Sequence, residues 1–213
     1  METTRNNSFP AKGDKLFVLE QNGTQWFPKG AEDFFQLSEG YRMAAVTIYK
    51  EIKEREWVNK PFIACAMIFC FRQFLEIRLK ELVYMGRKEL FETPDFQKEH
   101  NLSKLFDDYT INVLPRIDPA FEQSMVDVVK GLIDEFNSID PMSMTFRYPV
   151  DKKNRPTLKI PNTDLENFKD VIDKLSNYFD AQLELVKILE NFNDEMAAEM
   201  AAEYASYMYQ NMY

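Results

Sequence analysis

The chain has 213 residues, of which 45% are hydrophobic and 14% aromatic, so it can bury one large core and is not a disordered chain. Its formal net charge of −9 excludes the dense cationic surface that broad, nonspecific nucleic-acid binding requires. The longest apolar run spans residues 62–71, well short of the about 20 residues that cross a bilayer. We therefore predict a globular protein with no membrane partner.

Cysteine usage indicates a reducing environment. Cys65 and Cys70 are the only cysteines, and they lie five positions apart in a helical pattern, so they face different sides and are poorly placed for a disulfide. Together with the single histidine, they cannot form an ordinary structural zinc site without several carboxylates. We interpret both as core residues and predict a cytoplasmic protein with no metal and no cofactor.

The chain divides into a tail, a helical bundle and a terminal helix. Residues 1–30 form an N-terminal tail with a β-hairpin over 15–27, built around an Asn-Gly turn. Residues 31–190 form a helical bundle, with a short β-hairpin insertion at about 144–160. Residues 191–213 form a C-terminal helix. The predicted fold is all-α, a bundle of five to six helices with short β-hairpin insertions.

The bundle begins with two long helices and a capped third. Apolar residues at helical spacing predict helices over 31–57 and 61–85, and Gly86 ends the second. The third helix begins near Asn101 or Ser103, since either side chain is a good N-terminal cap.

Prolines and capping residues set the remaining boundaries. Pro115 limits the third helix, and the Asp-Pro pair at 118–119 opens the fourth, with the aspartate as cap. Thr163 and Glu166 have the spacing of a capping box, which predicts the start of the fifth helix. A break at 191–194 separates that helix from the last one.

The last helix carries an apolar stripe with a four-residue step. Met196, Met200, Tyr204 and Met208 form the stripe, and alanines lie beside it. Such a stripe is either a core face or a dimer surface, where Met and Tyr adapt well to a partner. The sequence leaves both readings open.

A charged ladder lies on the second helix. Glu76 is one turn away from both Arg72 and Lys80. A solvated ion-pair face is one explanation. However, Arg72 directly follows the long apolar run, and a buried arginine needs a carboxylate or phosphate partner. Arg72 and Glu76 are therefore candidate binding residues, with Glu76 as the partner of Arg72 inside the helix.

The only histidine, His100, lies just ahead of the third helix. Histidine is the usual general acid or base at neutral pH, so His100 is the candidate catalytic residue. The alternative is that His100 only organises the start of the helix. A glycine-rich phosphate loop is absent, because none of the six glycines has the required spacing.

Basic residues concentrate in the predicted insertion, although the chain as a whole is acidic. Arg147, Lys152, Lys153 and Arg155 lie there together with Tyr148. An arginine beside aromatic side chains suits the recognition of phosphate, carboxylate or a nucleobase. These five residues are candidate binding residues. The alternative is a solvated hairpin that only closes the gap between two helices.

Two segments carry a family resemblance. The stretch "FLEIRLKELVYMG", a loop and then "HNLSKLFDDY" resemble the pattern of HEPN-domain proteins, which are bacterial and archaeal helical bundles. The arrangement is also similar to a set of bacterial proteins that continue into "DPxSxxFRYPxD", which begins here at Asp140 and ends at Asp151. The resemblance covers roughly residues 41–160 and implies a HEPN-like bundle.

The activity best known for that family is metal-independent RNA cleavage in toxin and defence systems, and it depends on an Arg followed by His after four to six residues. This chain lacks that spacing, since the nearest arginine before His100 is Arg87. Gln73 also stands where the resembling helix has a histidine. The resemblance therefore favours a noncatalytic module that forms a homodimer and binds a protein, a nucleotide or RNA, in a bacterial defence or toxin–antitoxin setting.

Two other functions stay open. One is a divergent enzyme that acts on RNA or a phosphate ester, with His100 as the acid or base and Arg72 or Arg147 holding phosphate. The other is a purely structural oligomerisation domain. Convergence of these three residues and Glu76 within a cleft would favour the enzyme, whereas scattering over the surface would exclude it.

Overall fold

The computed structural model describes residues 30, 33–54, 60–93, 98–158 and 163–210. The hairpin predicted in the N-terminal tail lies outside these residues. Within them the chain is helical and has no strand, as the all-α prediction requires. No helix in this part of the chain pairs enough length with enough apolar character to cross a bilayer.

The helices follow one another with short connections. Their bounds are α1 Phe34–Glu54, α2 Lys60–Glu89, α3 Leu102–Asp108, a π-helical segment Tyr109–Val113, α4 Leu114–Ile117, α5 Gln123–Ile139 and α6 Leu165–Gln210. Because α3, the π-helical segment and α4 join without a break, the described residues form five helical rods.

The central element is α2, which packs against α1, α3, the π-helical segment and α6. Phe71, Leu75, Leu79 and Leu82 are completely buried along it. The buried residues of α2 concentrate over 71–83, whereas the apolar run before them is partly exposed, with Phe62 76% exposed. Cys65 and Cys70 are free thiols that pack against the core but are only partly buried, so the prediction that both are core residues is confirmed only in part, and burial raises the pKa of both.

Gly86 does not end α2, contrary to the prediction. It lies inside the helix, where its backbone approaches the side chain of Val113 in the π-helical segment. A glycine at this position reflects a close helix crossing rather than a helix stop.

The third helix passes through Pro115 instead of ending there. Proline lacks an amide N–H, and its ring crowds the carbonyl four residues earlier. The widened π turn just before it accommodates both effects, and the amide of Leu114 donates to the carbonyl of Tyr109. At the other end Asn101 is the cap, since its Oδ1 accepts a hydrogen bond from the Lys104 amide at 3.0 Å. That part of the prediction is confirmed.

Two predicted helix starts are wrong. The Asp-Pro pair at 118–119 lies in a turn, and α5 begins only at Gln123. For α6 the cap is Asp164 rather than Thr163, because Asp164 Oδ1 accepts from the amides of Glu166 at 2.9 Å and Asn167 at 3.1 Å.

The predicted break at 191–194 is also wrong. α6 is continuous over 46 residues, and its last turns extend beyond the bundle. Met196, Met200, Tyr204 and Met208 are all exposed, so the stripe is not a core face of this chain.

Residues 140–158, which follow α5, form a compact loop rather than a hairpin. Val150 and Pro156 form one isolated antiparallel bridge, and Asn154 adopts the left-handed conformation at the tip with φ 59°. Phe146 anchors the loop by packing edge-on against Phe136 of α5, with ring centroids 6.4 Å apart. Two prolines within so short a segment leave too few donors for a ladder.

We predict that Gly86→Ala destabilises the protein by about 1–3 kcal/mol, because the added methyl group overlaps Cγ1 of Val113. Gly131→Ala is the matched control, since that glycine lies in α5 with open space around it. The control should gain about 0.5–1 kcal/mol from helix propensity. Urea unfolding measures both, and equal stabilisation of the two variants would contradict the close crossing.

Candidate functional site

Charged side chains lie inside the bundle because the middle of α2 is buried on every side. Arg72 is 0% exposed and Glu76 4% exposed. The cover comes from the segment before α3 and from the loop after α5, both of which contact this stretch of α2. Arg72 is therefore buried and paired with Glu76, which decides between the two explanations that the sequence left open and excludes a solvated ion-pair face.

The Arg72 guanidinium joins three parts of the chain. Its NH1 donates to Glu76 Oε2 at 3.1 Å, and its Nε donates to the carbonyl of Asp140 at 3.4 Å. Its NH2 donates to the backbone carbonyl of His100. Burial lowers the pKa of Arg72, while the charges of Glu76 and Asp140 oppose that shift. One cation thus fixes both segments against α2.

Glu76 is the shared acceptor of the site. Its Oε1 accepts from Lys80 Nζ at 2.8 Å and lies 2.8 Å from Nδ1 of His100, while Oε2 binds Arg72. Burial opposes ionisation of this carboxyl, but hydrogen bonds from Lys80 and His100 and the charge of Arg72 outweigh burial and lower its pKa. Glu76 is therefore a buried carboxylate held in its charged form.

The His100 ring lies between this buried carboxylate and solvent. Its side chain is 55% exposed, whereas that of Glu76 is 5% exposed. Because an ionised carboxylate only accepts hydrogen bonds, we assign the proton of the neutral ring to Nδ1. The basic lone pair then lies on Nε2, which has no hydrogen-bond partner among the described residues. A histidine oriented in this way can take up and release a proton at Nε2.

The loop after α5 adds a second set of polar groups beside Arg72. Gln73 Nε2 donates to Ser143 Oγ at 2.6 Å, and Arg147 Nε donates to the carbonyl of Ser143 at 2.6 Å. Ser143 is buried and adopts a left-handed conformation with φ 55°, which costs a non-glycine residue energy and requires surrounding structure to hold it. The Arg147 guanidinium lies 5.5 Å from the ring centroid of Phe69 on α2.

The predicted site residues fall into three groups. Arg72, Glu76 and His100 contact one another directly. Arg147 and Tyr148 lie on the adjoining loop, exposed to solvent, with the Arg147 guanidinium 5.6 Å from the Tyr148 ring centroid.

Lys152, Lys153 and Arg155 form the outer turn of the loop. Arg155 pairs with Asp151 at 2.6 Å, and this hydrogen-bonded pair lowers the pKa of Asp151 to about 2. Within the described residues, none of the three basic side chains contacts the Arg72–Glu76–His100 group. Their role in binding stays a prediction.

Asp140 is a residue of the site that was not among the predicted binding or catalytic residues. It is completely buried, and its Oδ1 accepts from the amides of Met144 at 2.6 Å and Thr145 at 2.9 Å. Its Oδ2 has no hydrogen-bond partner in the described part of the chain. Its place at the head of the "DPxSxxFRYPxD" segment was the available signal.

A second buried charge cluster lies on the opposite side of α2. Arg78 is 0% exposed, donates to Glu39 at 2.6 Å and packs its guanidinium 4.9 Å from the ring centroid of Phe35. Its NH1 is 3.4 Å from Glu81 Oε2, but without hydrogen-bond geometry. Burial raises the pKa of Glu81 to about 7, and the charge of Arg78 only partly opposes that shift. No histidine and no nucleophile joins this cluster among the described residues, so we assign it to packing of α1, α2 and α6.

A cavity of about 310 Å³ lies between α2, α5, α6 and the loop that carries Phe146. Its walls are mainly apolar, and polar residues such as Asp164 and Asn167 lie at the start of α6. The Arg72–Glu76–His100 group is not among its lining residues.

Neither a metal-binding group among the described residues nor a known relative indicates a function for this site. In the part of the chain that the structure describes, no group of three or more His, Cys, Asp or Glu is placed to hold a metal ion. Comparisons with protein-family models, with curated proteins and with solved structures found no match to this chain. The likeness to HEPN domains therefore stays a prediction from the sequence motifs.

We predict that Arg72→Ala destabilises the protein by about 3–5 kcal/mol, because it removes one partner of a buried ion pair and frees two segments from α2. Arg116→Ala is the control, since Arg116 pairs with Glu92 at the surface and should contribute about 0.5 kcal/mol or less. Chemical denaturation compares the two. Equal small losses would show that the buried pair does not organise the site.

We predict a second, pH-dependent effect at Glu81. The unfolded chain ionises this carboxyl near 4.5, but the folded chain does so only near 7. Wild-type stability therefore falls with rising pH between these values, relative to Glu81→Gln, by on the order of 3 kcal/mol. Unfolding curves at about pH 4, 5.5 and 8, which span the unfolded and folded pKa values of Glu81, measure the difference. A constant difference between the proteins would refute the raised pKa.

Proposed function

We propose that the Arg72–Glu76–His100 group is an acid–base site that acts on RNA or a phosphate ester. One observation carries the proposal: an exposed imidazole is held through Nδ1 by a buried carboxylate at 2.8 Å. Such a carboxylate fixes the ring orientation and stabilises the imidazolium that forms when Nε2 takes a proton.

The chemistry follows from the proton positions. Nε2 of His100 accepts the proton of an attacking hydroxyl or water as its oxygen bonds to phosphorus. The imidazolium then carries one proton on each nitrogen, and the Glu76 carboxylate stabilises its charge. Release of the Nε2 proton to the departing oxygen, as its bond to phosphorus breaks, restores the neutral ring. Arg72 and Lys80 keep Glu76 ionised throughout.

Arg72 acts as a positioning residue in this proposal rather than as a phosphate ligand. It is completely buried, and its donors bind Glu76, Asp140 and the carbonyl of His100. The phosphate-binding role therefore goes to Arg147, which is exposed on the adjoining loop beside Tyr148. A guanidinium binds phosphate oxygens, and an aromatic ring stacks with a base, so this pair suits a nucleotide-bearing substrate.

A second candidate function is the noncatalytic one: a HEPN-like module that forms a homodimer and binds a protein, a nucleotide or RNA, in a bacterial defence or toxin–antitoxin setting. The absent Arg-to-His spacing favours it. So does the exposed Met and Tyr stripe at the end of α6, which resembles an association surface. In this case Glu76 and His100 only hold the segment before α3 in place.

We predict that the wild-type chain cleaves a fluorogenic RNA oligonucleotide or bis(p-nitrophenyl) phosphate, and that His100→Ala lowers kcat about 10²–10⁴-fold. The backbone carbonyl that accepts from Arg72 remains in this variant, so the fold is kept. Lys174→Ala is the control, because Lys174 is exposed on α6 and pairs with Asp170 rather than with the site. Added imidazole should restore part of the activity of His100→Ala.

The two candidate functions separate in the same assays. Binding of the RNA without turnover, lost in Arg147→Ala and kept in His100→Ala, would support the noncatalytic module and overturn the enzyme. Neither binding nor turnover with any phosphate ester or RNA tested would overturn the enzyme and leave only the protein-binding form of the second candidate.

A further inference from the structure

The end of α6 is an unusual surface in this bundle. Residues 194–210, which we call the α6 arm, are exposed at every position. The arm carries Asp194, Glu195, Glu199 and Glu203, and no Lys or Arg follows Lys187 in the sequence. Every charged residue of the arm is therefore acidic.

The arm is also apolar along one stripe. Met200 and Tyr204 are each 66% exposed, and Met196 and Met208 continue the stripe at the same four-residue step. Helical turns gain most of their stability from packing an apolar face, and here that face stays exposed to solvent beside the described residues of its own bundle. Exposed apolar stripes of this kind mark association surfaces.

The complementary surface lies on the same chain. The loop of residues 142–158, which we call the basic loop, carries four basic residues in its middle against the single acid Asp151. Lys152 and Lys153 are exposed there. The basic loop also exposes large apolar side chains, namely Met142, Met144, Tyr148, Val150 and Leu158. Its charge is thus opposite to that of the arm, and both surfaces expose apolar side chains.

The two surfaces lie at opposite ends of α6. Phe146 of the basic loop lines the same cavity as Phe168 in the first turn of α6. An α-helix rises about 1.5 Å per residue, so Glu199 lies about 50 Å along the axis from the start of α6. The arm is therefore out of reach of the basic loop of its own chain.

We propose that two copies of this chain associate reciprocally, with the α6 arm of each docked on the basic loop of the other. A two-fold axis makes the contact twice and closes the assembly, and the second contact forms intramolecularly once the first is made. The inference extends the dimerisation named above as part of the second candidate function, and it does not depend on acid–base chemistry at His100.

The full chain tests the proposal by light scattering and sedimentation equilibrium. We expect a dimer at low ionic strength that weakens as salt screens the charges. The charge of the arm is reversed with Glu199→Lys and Glu203→Lys, and that of the loop with Lys152→Glu and Lys153→Glu. Either pair of substitutions should weaken the homodimer by about tenfold or more, because each acts at both contacts. Circular dichroism checks that the helices remain.

Mixing the two reversed proteins is the decisive measurement. In their heterodimer the lysine arm meets the glutamate loop, and the unchanged glutamate arm meets the unchanged lysine loop, so both contacts are complementary again. We expect the mixture to form a heterodimer about as tight as the wild-type dimer. Two controls are the arm-reversed protein mixed with wild type, which should associate weakly, and His100→Ala, which should dimerise normally.

Three outcomes would overturn the proposal. A wild-type chain that stays monomeric at high concentration and low salt excludes a dimer. Association of the arm-reversed protein with wild type would instead show arm-to-arm contact. Failure of the reversed pair to associate would show that the arm and the loop do not meet. All three leave the His100 assays unaffected, so the two proposals fail separately.

Discussion

The guanidinium of Arg72 is the contact on which the candidate site depends. It is completely buried, and it donates to Glu76, to the carbonyl of Asp140 and to the carbonyl of His100. An isolated buried cation is very unfavourable, so each of these acceptors is needed, and together they dictate where two loops lie. The position of the His100 ring follows from this arrangement, because its backbone is held by Arg72 and its Nδ1 by the carboxylate that Arg72 binds.

The burial of charge has two consequences on the two sides of α2. On one side Glu76 has three partners, and its carboxyl stays ionised because those contacts outweigh burial. On the other side Glu81 meets Arg78 without hydrogen-bond geometry, and burial dominates its pKa. The same residue type in the same helix thus serves either as a fixed negative charge or as a group that titrates near neutrality.

Backbone irregularities support the same architecture. The π turn before Pro115 lets one rod continue past a proline and buries Tyr109, whose hydroxyl donates to Gln182 of α6 at 2.8 Å. The strained Ser143 links Gln73 of α2 to Arg147 of the basic loop. Strain of this kind persists only where several contacts hold it, and here these contacts fix the exposed Arg147 near Phe69 of α2.

The sequence by itself determined the helical class and the one-turn spacing that makes an Arg72–Glu76 pair possible, since apolar periodicity and residue spacing are local properties. It did not determine that Gly86 is a helix crossing, that Asp164 caps α6 or that α6 runs unbroken to Gln210, because packing neighbours and competing caps decide those points. Nor could spacing bring His100 to Glu76, which lies 24 residues earlier. Only the tertiary structure decided that contact, because a buried arginine drew two distant segments onto one face of α2.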